Sequence, residues 1–400
     1  MTTSDPAERP IARLLRAQQQ ADPDAIVETL LGAVSALGGS DVLLYLVDYG
    51  HTTLMPHPDM VSHDERAEPA PVDTTMAGRA FITDSALAAQ REDGWHVWVP
   101  VCERANKLGV LAMTLPDWNA DVEFLCVELG LAAAHLVISS AHYTDLPHLL
   151  RRRQDMDLAA ELQWSLLPPL AFATNGTSIA GMLEPAYEVG GDCFDYALND
   201  GVLDLAVFDA VGHGLISSVL ACLVTGAYRH GRRAGEGLQE LATSVDAATR
   251  TFPGSHPFAT ALLARLDVAS GRLSWLSCGH PQPIIVRGAA TLADVEPTPY
   301  LPLGLGDLAP VHGTVVDFSL EPGDGVLLYT DGVVETRDAS GAFFGEDRLR
   351  DLLGREHHTG GAPQEVVRRL VRSTLSHAGE PLQDDATLLY LRWDGEQATD

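Results

Sequence analysis

The chain has 400 residues, 46% of them apolar, and carries 55 acidic against 26 basic side chains, a formal charge of -29. That length accommodates two or three domains with cores of their own, and that charge repels a nucleic-acid backbone, so no nucleic-acid partner is expected. Five scattered cysteines (Cys102, Cys126, Cys193, Cys222 and Cys278) with no CxxC pair suit a reducing compartment; no basic-then-apolar leader is seen, and Glu128 interrupts the longest apolar stretch, so a cytoplasmic protein without a membrane anchor is predicted.

In chain order, residues 1–10 read as a frayed polar tail. Ile26, Val27, Leu30, Leu31, Val34 and Leu37 recur at helical spacing until Gly38-Gly39, and the strand DVLLYLVD follows. A Pro- and acid-rich loop from His57 to Pro71 leads to a short helix at Met76 to Ile82. Two strands come next, WHVWVPVCE and KLGVLAMTL, turning near Ala105-Asn106. Val122, Leu125, Leu129, Ala132, Leu136 and Ser139 step by three and four, which fits either the seam of a homodimer or a terminal helix lying on its own domain. After Pro147 a second helix, LLRRRQDMDLAAELQWSLLPP, places Leu158, Leu162 and Leu166 on one stripe and ends at Pro168-Pro169. The basic runs Arg151 to Arg153 and Arg229 to Arg233 read as solvated helix faces.

From Ser178 the pattern is strand-rich: SIAGMLEP, VLDLAVFD, TALLARLD, RLSWLSCG, PIIVRG, TVVDFSL, VLLYTDG and ATLLYLRW. Helices intervene near Leu215 to His230, Leu238 to Thr251, Asp347 to Arg355 and Pro363 to His377. Strands and helices in groups, without strict alternation, predict an α+β layered fold.

The chemistry lies at strand ends. Asp192 and Asp209 flank apolar runs beside glycine, Asp331 precedes Gly332, and Asp384 and Asp385 open the last strand. Singly, such an Asp is commonly a turn former. Together, with no matching Lys or Arg, these acids would repel one another unless a cation lay between them. Oxygen donors and retained water favour two ions of Mg²⁺ or Mn²⁺. Gly190, Gly191, Gly212, Gly214 and Gly332 leave room for backbone to pass close to ions and water.

The segments LQWSLLPP, VGGDCFDY, FDAVGHG, CGHPQP, PLGLG, GDGVLLYTDGVVETRD, FGEDRL and QDDATLL, in that order, resemble the bacterial metal-dependent serine/threonine phosphatases of the 2C type. The branch resembled is that of the stage II sporulation phosphatase E and the stress-response sigma-regulator phosphatases. The resemblance spans about residues 160 to 393. It implies a β-sandwich flanked by helix pairs over 171–395, and the order of elements before it resembles a GAF-like α/β sensory domain over 11–143, joined through a helical linker at 144–170. It further implies that Asp209 bridges two metals, that the Ala210 carbonyl adds to one, and that Asp331 with Asp384 or Asp385 holds the other. Asp192 would bind directly or through water. His213 would either donate a proton to the leaving seryl oxygen or cap the turn before a helix, whereas His280 reads as structural, and Thr260 and Thr330 as supporting residues. Phe208 and Cys193 depart from the family pattern, which usually has a glycine and a large aromatic there, and are expected to narrow the pocket or alter substrate choice, with Cys193, beside a metal ligand, open to oxidation under stress. The activity so implied is hydrolysis of phosphoserine or phosphothreonine on a protein, such as an anti-sigma-factor antagonist, under control of the sensory domain. A non-catalytic signalling scaffold is the alternative.

Overall fold

The computed structural model describes residues 21–57, 68–184, 187, 190–254, 256–292, 298–308, 313–379, 382 and 384–395, with residues 14, 16 and 19. The tail at 1–10, most of the loop after His57, and Glu188 and Val189 of the EVGGD stretch lie outside them. The chain divides into two compact units, Met1–Asp155 and Met156–Asp400.

In the first unit, α1 (Ile26–Ala36) precedes β1 (Ser40–Val47), β2 (Thr53–Pro56), β3 (Ala70–Pro71), α2 (Met76–Thr83), β4 (Leu87–Arg91), β5 (Gly94–Glu103), β6 (Asn106–Leu115), α3 (Ala120–Ser140) and α4 (Leu146–Leu150). The strands form one antiparallel sheet in the order β3-β2-β1-β6-β5-β4. The β5–β6 turn is made by Arg104 and Ala105, both at positive φ, a two-residue connection whose twist suits a hairpin. Along β1, Leu44 and Leu46 enter the core beneath α1 and α3, whereas Tyr45 and Val47 pack toward Phe81 of α2. β2, β3 and β4 went unpredicted, since they are short and carry little β-branched or aromatic content.

Helix α3 is long and apolar enough to cross a membrane by length and composition, but it packs on β5 and contributes Cys126, Leu129, Ala133 and Leu136 to the core of its own unit. The positions read as a dimer seam are therefore largely internal. Phe124, Val127 and Leu131 are the large apolar residues that this helix exposes. The predicted second helix is broken: α4 ends at Leu150, and α5 (Leu158–Leu166) starts afresh from Asp157, whose carboxylate accepts from the Ala160 N–H at 2.7 Å. Nor is its core stripe the leucine one. Ala159, Ala160 and Gln163 are buried, and Leu158 is exposed. The basic runs are likewise engaged, because Arg151 donates to the Val47 carbonyl and stacks on Tyr49, and Arg229 and Arg232 pair with buried Asp195 at 2.8 and 2.7 Å.

The second unit contains α5, β7 (Ala171–Thr174), β8 (Thr177–Glu184), β9 (Asp192–Asn199), β10 (Val202–Ala210), α6 (Leu215–Arg233), α7 (Leu238–Thr249), β11 (Ala259–Asp267), β12 (Arg272–Cys278), β13 (Ile284–Arg287), β14 (Ala290–Thr291), β15 (Val316–Ser319), β16 (Asp324–Tyr329), α8 (Asp331–Glu335), α9 (Glu346–His358), α10 (Pro363–Ala378) and β17 (Ala386–Trp393). Two antiparallel sheets result, β15-β12-β11-β10-β9 and β14-β13-β16-β17-β8-β7. Phe194, Leu205, Leu262, Trp275, Leu328, Leu389 and Trp393 fill the space between them. On its outer face the first sheet is covered by α6 and α7, and the second by α9 and α10. This is the expected sandwich flanked by helix pairs, with each sheet apolar on both faces because both are covered.

Candidate metal centre

The period-two alternation of strands decides which side chains reach the centre. Along β10, Leu203, Leu205 and Val207 point between the sheets, and Asp209 continues that face where the strand ends. The tight turn at Asp200-Gly201 fixes the β9–β10 register so that Asp192, on the same face as Phe194, lies directly opposite Asp209. From the other sheet, Val326 and Leu328 lead to Thr330, and Leu391 and Leu389 lead back through Thr387 to Asp385. One end of the sandwich thus exchanges its apolar filling for Asp192, Asp209, Thr330, Asp385 and Thr387.

The turn entering β9 is held on every side. Gly190 donates its N–H to the Asp385 carboxylate at 2.6 Å, and Asp192 donates to the same group at 3.2 Å. The Ser218 hydroxyl of α6 donates to the Gly190 carbonyl at 2.8 Å, Ala210 N–H to the Gly191 carbonyl at 3.1 Å, and the Gln163 side-chain amide to the Asp192 carbonyl at 2.6 Å. The Thr330 hydroxyl donates to Asp192 Oδ2 at 2.5 Å and accepts from Thr387 N–H at 3.0 Å. Backbones approach so closely that a Cβ on Gly191 would lie 2.1 Å from the Ala210 carbonyl oxygen, and one on Gly332 1.8 Å from that of Asp385.

Electrostatically the cluster is unbalanced. Burial, then Asp209 and Asp385, raises the Asp192 carboxyl well above the usual range. Asp209 is pushed up to about 7 by burial and then by Asp331, Asp384 and Asp385. Asp385 is pushed to about 6, chiefly by burial and against the N–H bonds it accepts, and Asp331 is raised by burial with Glu335 and Asp384 adding to it. Among the described residues, no Lys or Arg is among the leading groups acting on these four carboxyls. An assembly of oxygen donors that suppresses its own ionisation is suited to a hard divalent cation, which would restore the charged forms. Among the described residues no group of three His, Cys, Asp or Glu side chains is set to hold a metal ion as it stands. Asp192 and Asp385 are buried, Asp209 is half-buried, and Asp331 and Asp384 are exposed at the rim.

His213 is exposed in the loop before α6, and the cap of that helix is Gly214 with no side-chain contact, so the capping reading of His213 is not what the fold uses. His280 is internal. Its Nε2–H faces the Tyr329 carbonyl at 3.0 Å, which leaves Nδ1 to accept from the Thr260 hydroxyl at 2.7 Å, and burial lowers its pKa to about 4. Thr260 is the β11 partner of Asp209, so this neutral imidazole ties the two sheets together beside the centre. Phe208 and Cys193 point the other way. Both lie fully buried against the α6–α7 layer, Phe208 edge-on to Tyr228 and the Cys193 thiol pushed up to about 12 by burial. Neither narrows the site, and a buried protonated thiol does not invite oxidation. Gln163, Ser218 and Thr387 were not anticipated. The sequence signal for Gln163 was its helical spacing from Ala159 and Ala160, which puts it on the core-facing side of α5.

Residues 199–394 match the family model described as Stage II sporulation protein E (SpoIIE). The chain is 24% identical over 241 residues to the phosphoserine phosphatase RsbU of Bacillus subtilis, covering 60% of this chain and 70% of RsbU. Against the phosphoserine phosphatase RsbP of the same organism it is 22% identical over 194 residues, covering 46% of each. Among solved structures, the SiaA-PP2C domain of Pseudomonas aeruginosa matches with a TM-score of 0.50 and 21% identity, over 59% of this chain and 94% of that domain. The layered sandwich and its acidic end define a 2C-type phosphatase fold. Within that class, the second unit belongs to the SpoIIE-type domains.

Proposed function

We propose that the second unit is a metal-dependent phosphatase that hydrolyses phosphoserine or phosphothreonine on a protein. The carrying observation is the gathering of Asp192, Asp209, Asp331, Asp384 and Asp385 at one sandwich end, with carboxyl groups that repel one another and no Lys or Arg salt-bridge partner among the described residues. Asp209, the Ala210 carbonyl, Asp331 and Asp384 would hold two divalent ions, Mn²⁺ or Mg²⁺. Asp192 would hold through water, and Asp385 braces the Gly190–Asp192 turn. When bound, the ions supply an activated water and offset charge on the phosphoryl oxygens. His213, exposed beside the N-terminus of α6, donates the proton to the leaving seryl or threonyl oxygen.

The open rim supports a protein substrate. Asp331, Asp384 and His213 are exposed, and a cleft of about 760 Å³ continues from Asp384 past Gly332, Glu335, Arg337 and Asp338. RsbU and RsbP are named phosphoserine phosphatases, which supports a phosphorylated regulator such as an anti-sigma-factor antagonist as the substrate, with the GAF-like first unit as its sensory control. The test compares phosphate release from a phosphorylated antagonist protein, free phosphoserine and a nucleotide, with Mn²⁺ and with chelator. Preference for the protein in Mn²⁺ is expected; preference for either small molecule, or a rate indifferent to chelator, would overturn the reading.

A further inference from the structure

Helix α5 places one polar side chain in the interior. Gln163 is fully buried, and its amide N–H donates at 2.6 Å to the backbone carbonyl of Asp192, while its own Oε1 finds no hydrogen-bond partner among the described residues. The orientation of the amide is decided by its neighbour, since a carbonyl oxygen accepts only and turning the amide over would set two oxygens face to face. Burying an amide with one end unsatisfied costs stability; a methionine of similar shape would fill the same space and remove that cost, but would leave the Asp192 carbonyl without its donor. The two costs are of similar size and offset one another, so fold stability alone gives little reason for glutamine at this position.

What the amide does hold is the one carbonyl of the Gly190–Asp192 turn that neither Ser218 nor Ala210 reaches. Through that carbonyl it sets the start of β9, and with it the height of the Asp192 carboxylate against Thr330 and opposite Asp209. The geometry points to Gln163 as a positioning residue for divalent metal: it holds Asp192 in the arrangement that binds the ion, from a helix outside the two sheets. This inference rests on the metal-centre reading above, and it adds a residue that touches neither ion nor substrate.

The experiment measures Mn²⁺ binding to the full chain by calorimetry, with the Mn²⁺ dependence of aryl-phosphate hydrolysis alongside. Gln163→Met is expected to fold with metal-free melting close to the parent's and to bind Mn²⁺ about tenfold more weakly, as the loss of a supporting hydrogen bond does in metal sites. Its activation curve shifts to higher Mn²⁺ by the same factor, with a much smaller change in the rate at saturation. A filler role alone would change melting and leave the Mn²⁺ constant untouched, and that result overturns the proposal. Asp209→Asn separates the two readings. If it binds Mn²⁺ like the parent, the metal centre itself is wrong; if it loses Mn²⁺ while Gln163→Met keeps it, only the role of Gln163 fails. Should Gln163→Met not fold, the wild-type chain decides. The Gln163 side-chain amide resonance, in ¹⁵N-glutamine-labelled protein, shifts with the midpoint of Mg²⁺ binding if the amide senses the site, and stays still if it does not.

Discussion

At the scale of single residues, opposed effects act on the same carboxylates. Asp209 is pushed up to about 7 by burial and by three neighbouring acids, so Asp209→Asn relieves repulsion in the metal-free protein while removing the charge that would anchor a cation. The expected outcome is a folded variant whose melting temperature no longer responds to Mn²⁺ and whose turnover of an aryl phosphate falls about a hundredfold or more. A folded Asp209→Asn with parental Mn²⁺-dependent turnover would reject the site. Gly332→Ala acts through space, since the new methyl would overlap the Asp385 carbonyl and push the start of β17 away. A loss of about 3 kcal/mol or more in chemical denaturation is expected. His280 gives the pH dependence. Its folded pKa, about 4, lies below the ordinary histidine value of about 6.5 because burial disfavours the imidazolium; the unfolded chain then binds the proton first, and stability present above about pH 6.5 is lost as pH falls toward 4. The full effect is about 3 kcal/mol. Denaturant midpoints measured from pH 7 to 4 should fall by less in His280→Gln than in the parent, and equal slopes would show that another group is responsible.

At the scale of elements, what could be read from the sequence was what depends on local periodicity. The β9–β10 hairpin follows from alternating apolar residues around Asp200-Gly201, and the acids at strand ends stand out because nothing basic accompanies them. The same alternation already assigned Phe208 and Cys193 to the face opposite Asp209 and Asp192, so their removal from the pocket was legible and was outweighed by a family pattern. Harder to read is which of two apolar stripes a helix buries. In α3 both the three-four positions and the stripe of Phe124, Val127 and Leu131 are apolar, and only packing against β5 selects the former. Leu129, 3% exposed, illustrates the consequence. Leu129→Glu places a charge in the core of the first unit and should unfold that unit, at a cost of about 3 kcal/mol or more, in place of merely splitting a dimer. A folded Leu129→Glu protein of halved mass in light scattering would reinstate the seam.

At the scale of the whole molecule, the boundary between the units falls at Asp155–Met156, ahead of α5, and not after the Pro168-Pro169 pair that closes the linker expected from the sequence. The reason is physical. Ala160 packs with Leu183, Trp164 and Leu167 lie against the sandwich core, and Gln163 reaches Asp192. Helix α5 is therefore part of the fold that carries the acids, in keeping with the change from the charged RRRQDMD to LAAELQWSL at its start. Two truncations distinguish a linker from a structural element. A fragment of residues 156–395 retains the sandwich, its helix layers and the Gln163 contact, and is expected to fold cooperatively and to hydrolyse an aryl phosphate in Mn²⁺. A fragment of residues 171–395 loses the cover over Leu183 and the donor to the Asp192 carbonyl, which leaves a buried acceptor unpaired at about 1 to 3 kcal/mol. It should melt lower and require more Mn²⁺ for half-maximal activity. Equal melting and equal Mn²⁺ dependence in the two fragments would return α5 to the status of a tether.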